Sequence, residues 1–196
     1  MKKVAFHTLG CKVNQVETEQ MIEEFYQQGY QVVGFGDPAD VYVVNTCTVT
    51  HISDRKSRAI LRRAVRANPQ ALVVATGCAA QVAANQLASL GGVGLIIGNQ
   101  EKDRIVDLVE DCIREKDTYQ KIWVEPIGSK AGLHSVLYGS PHQRTRAFVK
   151  IQDGCQAFCS YCIVPFARGP VRSKAPGDVV AEIRHLIGLG YREIVL

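Results

Sequence analysis

The sequence predicts an α/β fold: a parallel sheet with helices on both faces, followed by a second, shorter run in which a strand, a helix and a strand recur. Two observations lead there. Short apolar runs of strand length alternate with longer segments of helical periodicity. The runs hold consecutive apolar residues rather than a strict alternation, as suits strands covered on both faces. In order, KVAFHTL (3–9) reads as a buried strand. Residues 16–28 read as a helix with Met21, Ile22, Phe25 and Tyr26 as its apolar stripe, stopped by Gly29. QVVGF (31–35) and VYVVNT (41–46) are strands. Ser53 or Asp54 is expected to cap a helix that runs to about Asn68 and stops before Pro69. ALVVATG (71–77) is a strand, 80–90 a helix, LIIG (95–98) a strand and 102–116 a helix. Residues 118–145 lose the rhythm and are rich in Gly, Ser and Pro, so they read as a linker. RAFVKIQ (146–152), a helix over 176–189 and the terminal REIVL restart it. One βα unit and a strand cannot bury a core of their own. The chain is therefore expected to be the amino-terminal part of a longer protein.

Composition narrows the class. The 196 residues are 46% hydrophobic, with a net charge of +4. That length suits one domain or two small ones that need no covalent staples. No apolar run is long enough to span a bilayer, and the start, MKKVAFHTLGCK, lacks the apolar stretch of a secretory signal. A cytoplasmic location is the expectation, and no membrane partner. There, seven cysteines point to metal binding or catalysis rather than disulfides.

Three cysteines sit where topology, not spacing, brings them together. Cys11, Cys47 and Cys78 each follow the carboxyl end of a predicted parallel strand by one or two residues. Ligands of open α/β sheets bind outside those ends, so the three are expected to converge at one edge. The alternative is three packed thiols, since cysteine behaves as a small apolar residue. Cys112 lies mid-helix in DLVEDCIREK with no cysteine neighbour and reads as a helix-face thiol.

The other three form GCQAFCSYC, with Cys155, Cys159 and Cys162 in a Cys-x3-Cys-x2-Cys loop. Zinc sites usually pair cysteines two apart and complete four ligands. A trio on one loop better suits a four-iron cluster with one iron free of protein thiolate, where a small molecule binds. A zinc knuckle completed by His134, His142 or His185 is the alternative; their spacing fits no common finger.

CQAFCSYC resembles the cluster loop of the radical S-adenosylmethionine enzymes, with Tyr161 in the aromatic slot and RAFVKIQDG as the strand before it. With TLGCKVNQVETE, VVNTCTVTHISDRKSR, ATGCAAQ and KIQDGCQAFCSYCIVPFARGPVRS, the chain resembles the methylthiotransferases of that superfamily from residue 3 to 196. The resemblance implies residues 1–117 as an amino-terminal methylthiotransferase domain, 118–145 as a linker, and 146–196 as the start of a truncated (β/α) barrel. It implies two [4Fe-4S] clusters, one on Cys11, Cys47 and Cys78 and one on Cys155, Cys159 and Cys162. S-adenosylmethionine would bind the open iron of the second, with Tyr161 near it, and a reductant would cleave it to start radical chemistry. GCKVNQ and the long NTCTVTHISDRKSR stretch look most like the branch acting on threonylcarbamoyladenosine beside the tRNA anticodon. Isopentenyladenosine or a ribosomal protein is the alternative substrate. Because the chain stops at EIVL, before most of such a barrel, this piece alone is expected to be inactive.

In SDRKSRAILRRAVRAN six cations stand against Asp54, and Arg55, Arg58, Arg62 and Arg66 recur at helical spacing. Such a stripe can follow phosphates, or simply be a solvated face. Arg168 and Arg172, just beyond the cluster loop, are candidates for RNA phosphate or the cofactor carboxylate. Two other classes compete with an enzyme: a metal-stapled RNA-binding module without catalysis, and an electron or cluster carrier. The carrier would need every iron ligated by thiolate, which two three-cysteine sets oppose.

Overall fold

The computed structural model describes residues 1–115, 120–128, 133 and 145–196. Six parallel strands form the main sheet: β1 (Lys3–Thr8), β2 (Gln31–Val33), β3 (Val41–Thr46), β4 (Leu72–Gly77), β5 (Leu95–Ile97) and β6 (Lys121–Trp123). Their order is β2-β1-β3-β4-β5-β6. The chain turns one way from β1 and the other way from β3, which puts the topological switch point between those two strands. β3 is buried along its whole length, its apolar Val41–Val44 and its polar Asn45 and Thr46 alike, as a central strand covered on both faces is.

Helices cover both faces. On one, α1 (Lys12–Gln27) and α4 (Ile105–Glu115) bring Met21, Phe25, Ile105 and Val109 onto Val4, Val43 and Ile97. On the other, α2 (His51–Ala67) and α3 (Cys78–Ala88) bring Leu61, Ala64, Ala79 and Leu87 onto Ala5, Val44 and Ile96. The remainder holds β7 (Arg146–Phe148), β8 (Gln152–Asp153), α5 (Val164–Arg168), β9 (Arg172–Ser173), α6 (Pro176–Gly188) and β10 (Glu193–Val195). β7 and β10 pair in parallel around α6, with Ala147, Val149, Leu186 and Tyr191 as a small core. β8 and β9 pair antiparallel.

The expected elements are present with corrections. The stretch expected as linker opens with β6, a sixth strand paired to β5; only three residues long and half exposed, it has too little pattern to read. The rest of that stretch falls largely outside the described residues, as do His134 and His142. α1 begins at Lys12 rather than 16, because the Cys11 carbonyl already accepts the Gln15 N–H (3.2 Å). Its inward stripe is Met21 and Phe25, while Tyr26 faces solvent. α2 is capped by Thr50, whose hydroxyl accepts the Ser53 N–H (3.1 Å), not by Ser53 or Asp54. Residues 101–104 form a separate 3-10 turn ahead of α4. α5, with Pro165 in its first turn, and β9 are two further elements, within the VPFARGPVRS stretch.

Candidate metal centre

The three strand-end cysteines lie on three loops that buried side chains tie together. Cys11 occupies the N-cap of α1, and Cys78 is the first residue of α3, so both stand at helix amino ends, which favour negative charge. Cys47 follows β3; its backbone N–H donates to Ser57 Oγ of α2 (3.0 Å), and that hydroxyl lies 2.8 Å from the Cys47 carbonyl. Asn14, fully buried on α1, donates to the Leu9 carbonyl (2.7 Å) and to the Thr46 carbonyl (3.1 Å). One amide thus joins the loops of Cys11 and Cys47. Thr46 Oγ1 donates to the Thr76 carbonyl (2.5 Å) and accepts the Ala80 N–H (3.3 Å), which joins the loops of Cys47 and Cys78. Close approach demands glycine twice. Gly10 (φ +96°) has no room for a Cβ, which would lie 2.8 Å from Cys47 Sγ. At Gly77 (φ +92°) a Cβ would collide with the Thr46 carbonyl oxygen.

Cys11, Cys47 and Cys78 all line one cleft of about 350 Å³ at the carboxyl ends of the strands. Its far wall is Gln152, Asp153, Gly154, Ile163, Val164, Ala167 and Arg168, the residues on either side of the second cysteine loop. That loop starts at Gly154 (φ +81°), where a Cβ would collide with the Pro170 carbonyl oxygen, and turns at Phe158 (φ +46°). The Cys155 N–H donates to the Gly169 carbonyl (3.0 Å) and the Cys162 N–H to the Cys159 carbonyl (2.9 Å). Cys47 and Cys78 are buried; Cys11 and Cys159 are exposed, and Cys155 and Cys162 half-buried. Among the described residues no three His, Cys, Asp or Glu side chains are gathered as ligands of a single metal ion. The donor set nonetheless suits a polynuclear iron–sulfur group: soft thiols alone, three to a set, in the first set around a volume larger than one ion needs.

Behind the cleft lies a buried ionic cluster. Glu17 of α1 accepts from Lys102 (2.6 Å), Lys150 (2.9 Å) and Arg168 (2.8 Å). Asp153 accepts from Arg168 (2.9 Å), Lys150 (3.4 Å) and Arg172 (3.4 Å). Four cations therefore converge on two carboxylates. Burial pushes the Glu17 carboxyl up, but Lys102, Lys150 and Arg168 outweigh it and hold it well below the ordinary carboxylate range. Burial pushes the Cys78 thiol up, partly offset by Arg168 and Lys102. Burial also pulls Lys102 down, against the pull of Glu17.

The predicted arginines separate into two groups. Arg55, Arg62 and Arg66 are exposed on one face of α2. Arg58 shares the helix but is engaged, donating to Asp54 (2.9 Å) and to Gln86 of α3 (2.8 Å). Arg168 and Arg172, expected near RNA phosphate or the cofactor carboxylate, instead turn inward: their side chains are 6% and 9% exposed and pair with acidic residues. Tyr161, next to Cys162, is 90% exposed. Asn14, Glu17, Lys102, Lys150 and Asp153 escaped the sequence reading. A signal existed, because the stripe of Met21 and Phe25 extended backwards by helical steps lands on Thr18 and Asn14, both buried. Cys112 lines a larger cleft of about 780 Å³ at the opposite, amino end of the sheet, with no other thiol among its lining residues.

Fold and site together define a doubly wound parallel domain whose carboxyl edge carries one three-cysteine set and faces a loop carrying another. The profile of the Uncharacterized protein family UPF0004 matches residues 3–98. The chain is 40% identical, over its whole length and 43% of the relative, to the threonylcarbamoyladenosine tRNA methylthiotransferase MtaB of Bacillus subtilis (strain 168). It is 43% identical to the protein of the same name from Aquifex aeolicus (strain VF5), over 99% of the chain and 47% of that protein. A tRNA-2-methylthio-N(6)-dimethylallyladenosine synthase of Bacillus thuringiensis (strain Al Hakam) is 33% identical over the whole chain and 39% of its own length. Along its whole length the chain is similar to these methylthiotransferases, and it spans less than half the length of each.

Proposed function

We propose that this chain is part of a tRNA methylthiotransferase that places a methylthio group at C2 of N6-threonylcarbamoyladenosine, beside the anticodon. Cys11, Cys47 and Cys78 would hold one [4Fe-4S] cluster, and Cys155, Cys159 and Cys162 a second, completed by S-adenosylmethionine. The observation that carries this reading is the shared cleft, with three strand-end thiols on one wall and the base of the second cysteine loop on the other. When bound, these groups and a reductant supply the radical and sulfur chemistry. The protein's own part is position and shielding. Asn14 and Thr46 hold the three cysteine loops in register, and apolar Val49, Ile163 and Val164 line the cleft. Exposed Arg55, Arg62 and Arg66 present a basic face for tRNA phosphate. Tyr161 stands free beside Cys162 to pack against the cofactor. A cytoplasmic location suits a tRNA substrate. Residues 146–196, with the cluster loop among them, would open the catalytic barrel, while the first domain extends past residue 117 to take in β6.

Identity of 40% and 43% to threonylcarbamoyladenosine enzymes, against 33% to a dimethylallyladenosine enzyme, favours the former substrate. Mass spectrometry of tRNA nucleosides from cells lacking the protein tests it. Loss of the methylthio group from threonylcarbamoyladenosine alone is the expected result. Loss from an isopentenyl-type adenosine instead overturns the substrate assignment, and no loss from either overturns the activity.

A further inference from the structure

In the buried ionic cluster, Arg168 touches the supports of both cysteine sets. Arg168 ends α5, six residues beyond Cys162. Its Nη1 donates to Glu17 Oε1 (2.8 Å) and Asp153 Oδ1 (2.9 Å), and its Nη2 to Asn14 Oδ1 (2.5 Å) and Glu17 Oε2 (3.2 Å). Asn14 is the amide that ties the loops of Cys11 and Cys47. Asp153 lies two residues before Cys155, and its Oδ1 also accepts the Gly154 N–H (2.9 Å). Arg168 itself lines the cleft that the first set shares with the residues flanking the second loop.

We propose that Arg168 is a positioning residue that fixes the second cysteine loop against the first cysteine set. The planar guanidinium fork suits this role, because it reaches a carboxylate on α1, a carboxylate on β8 and an amide oxygen on α1 at once, each in a fixed direction. A lysine would carry the same charge without that spread. The neighbours share the charge but not the role. Lys102 reaches only the α1 and β3 side, through Glu17 and Asn45; Lys150 joins Glu17 to Asp153 but makes no bond to Asn14. The strut therefore sets how far apart, and in what orientation, two groups held by the two sets would stand. It relies on the proposed function only in treating the two sets as ligands.

Amide hydrogen exchange on the metal-free chain tests it without iron, so its failure and a failure of the iron reading are separable. In Arg168→Gln, exchange is expected to quicken by at least about tenfold both at Leu9, Gln15 and Cys47 and at Gly154 and Cys155, because local opening becomes easier on each side. Gly94, whose N–H donates to the Val73 carbonyl of β4, keeps its wild-type rate. Arg168→Lys restores only part of the protection. Quickening confined to Gly154 and Cys155 would reduce Arg168 to a local brace, and wild-type protection in Arg168→Lys would show that charge alone suffices; either overturns the proposal. Should Arg168→Gln fail to fold, Arg168→Lys decides: lost protection on both sides supports the strut, while wild-type rates, or equal quickening at Gly94, overturn it.

Discussion

Replacing Glu17 with glutamine removes one negative charge from a site where three cations bind it; Asp153 still pairs with Lys150 and Arg168, and Lys102 loses its carboxylate partner. The Glu17 and Arg168 side chains are each 6% exposed, so water cannot take over. Breaking a buried pair by neutralising one partner typically costs about 3–5 kcal/mol, because the other charges stay buried. At roughly 2–4 °C per kcal/mol for a chain of this size, the melting temperature is expected to fall by roughly 6–20 °C. Denaturant unfolding of the reduced, metal-free chain, followed by circular dichroism at pH 7, measures the free-energy loss, and a thermal melt of the same sample measures the shift. The pH dependence supplies an independent check. The folded pKa of Glu17 is depressed, so its stabilisation is present in full above the ordinary carboxylate value and is lost as pH falls through the lower folded value. The gap between wild type and Glu17→Gln should therefore close in acid, where the protonated glutamate resembles glutamine. A Glu17→Gln chain within about 0.5 kcal/mol of wild type, the range of surface changes, would refute the reasoning.

Gly77→Ala forces a side chain into a backbone conformation essentially confined to glycine, with its Cβ against the Thr46 carbonyl. A loss of about 1–3 kcal/mol from backbone strain, and lower iron uptake at the Cys78 site, are expected from denaturation and iron assay. Thr50→Ala removes the α2 cap and should cost about 1 kcal/mol in the same denaturation assay. Replacing Arg55, Arg62 and Arg66 together with glutamine should leave the melting temperature unchanged. A salt titration of tRNA binding should then show a log–log slope shallower by roughly 2, at about 0.7 for each single-stranded phosphate no longer neutralised.

The β3, α2 and β4 region was legible because its signals agree: VYVV is an apolar run of strand length and Pro69 sets the end of the helix. The convergence of Cys11, Cys47 and Cys78 was legible because strand ends in a parallel sheet share an edge, whatever their separation in sequence. What escaped was polar and long-range. Glu17 reads as an exposed helix residue until Lys102, 85 positions away, and Arg168, 151 positions away, are folded onto it. Arg168 drew attention for its charge and position, but only burial reveals that the charge is turned inward. β6 escaped because three residues carry no measurable period.

The account stands on two separate three-cysteine sites, and iron and sulfide counting after anaerobic reconstitution measures that most directly. The wild-type chain and a Cys11→Ala, Cys47→Ala, Cys78→Ala variant should be compared. Two four-iron clusters predict about eight irons in the first and about four in the second. About four in both would mean that the strand-end cysteines are core thiols, and zinc in place of iron would contradict the iron–sulfur reading altogether.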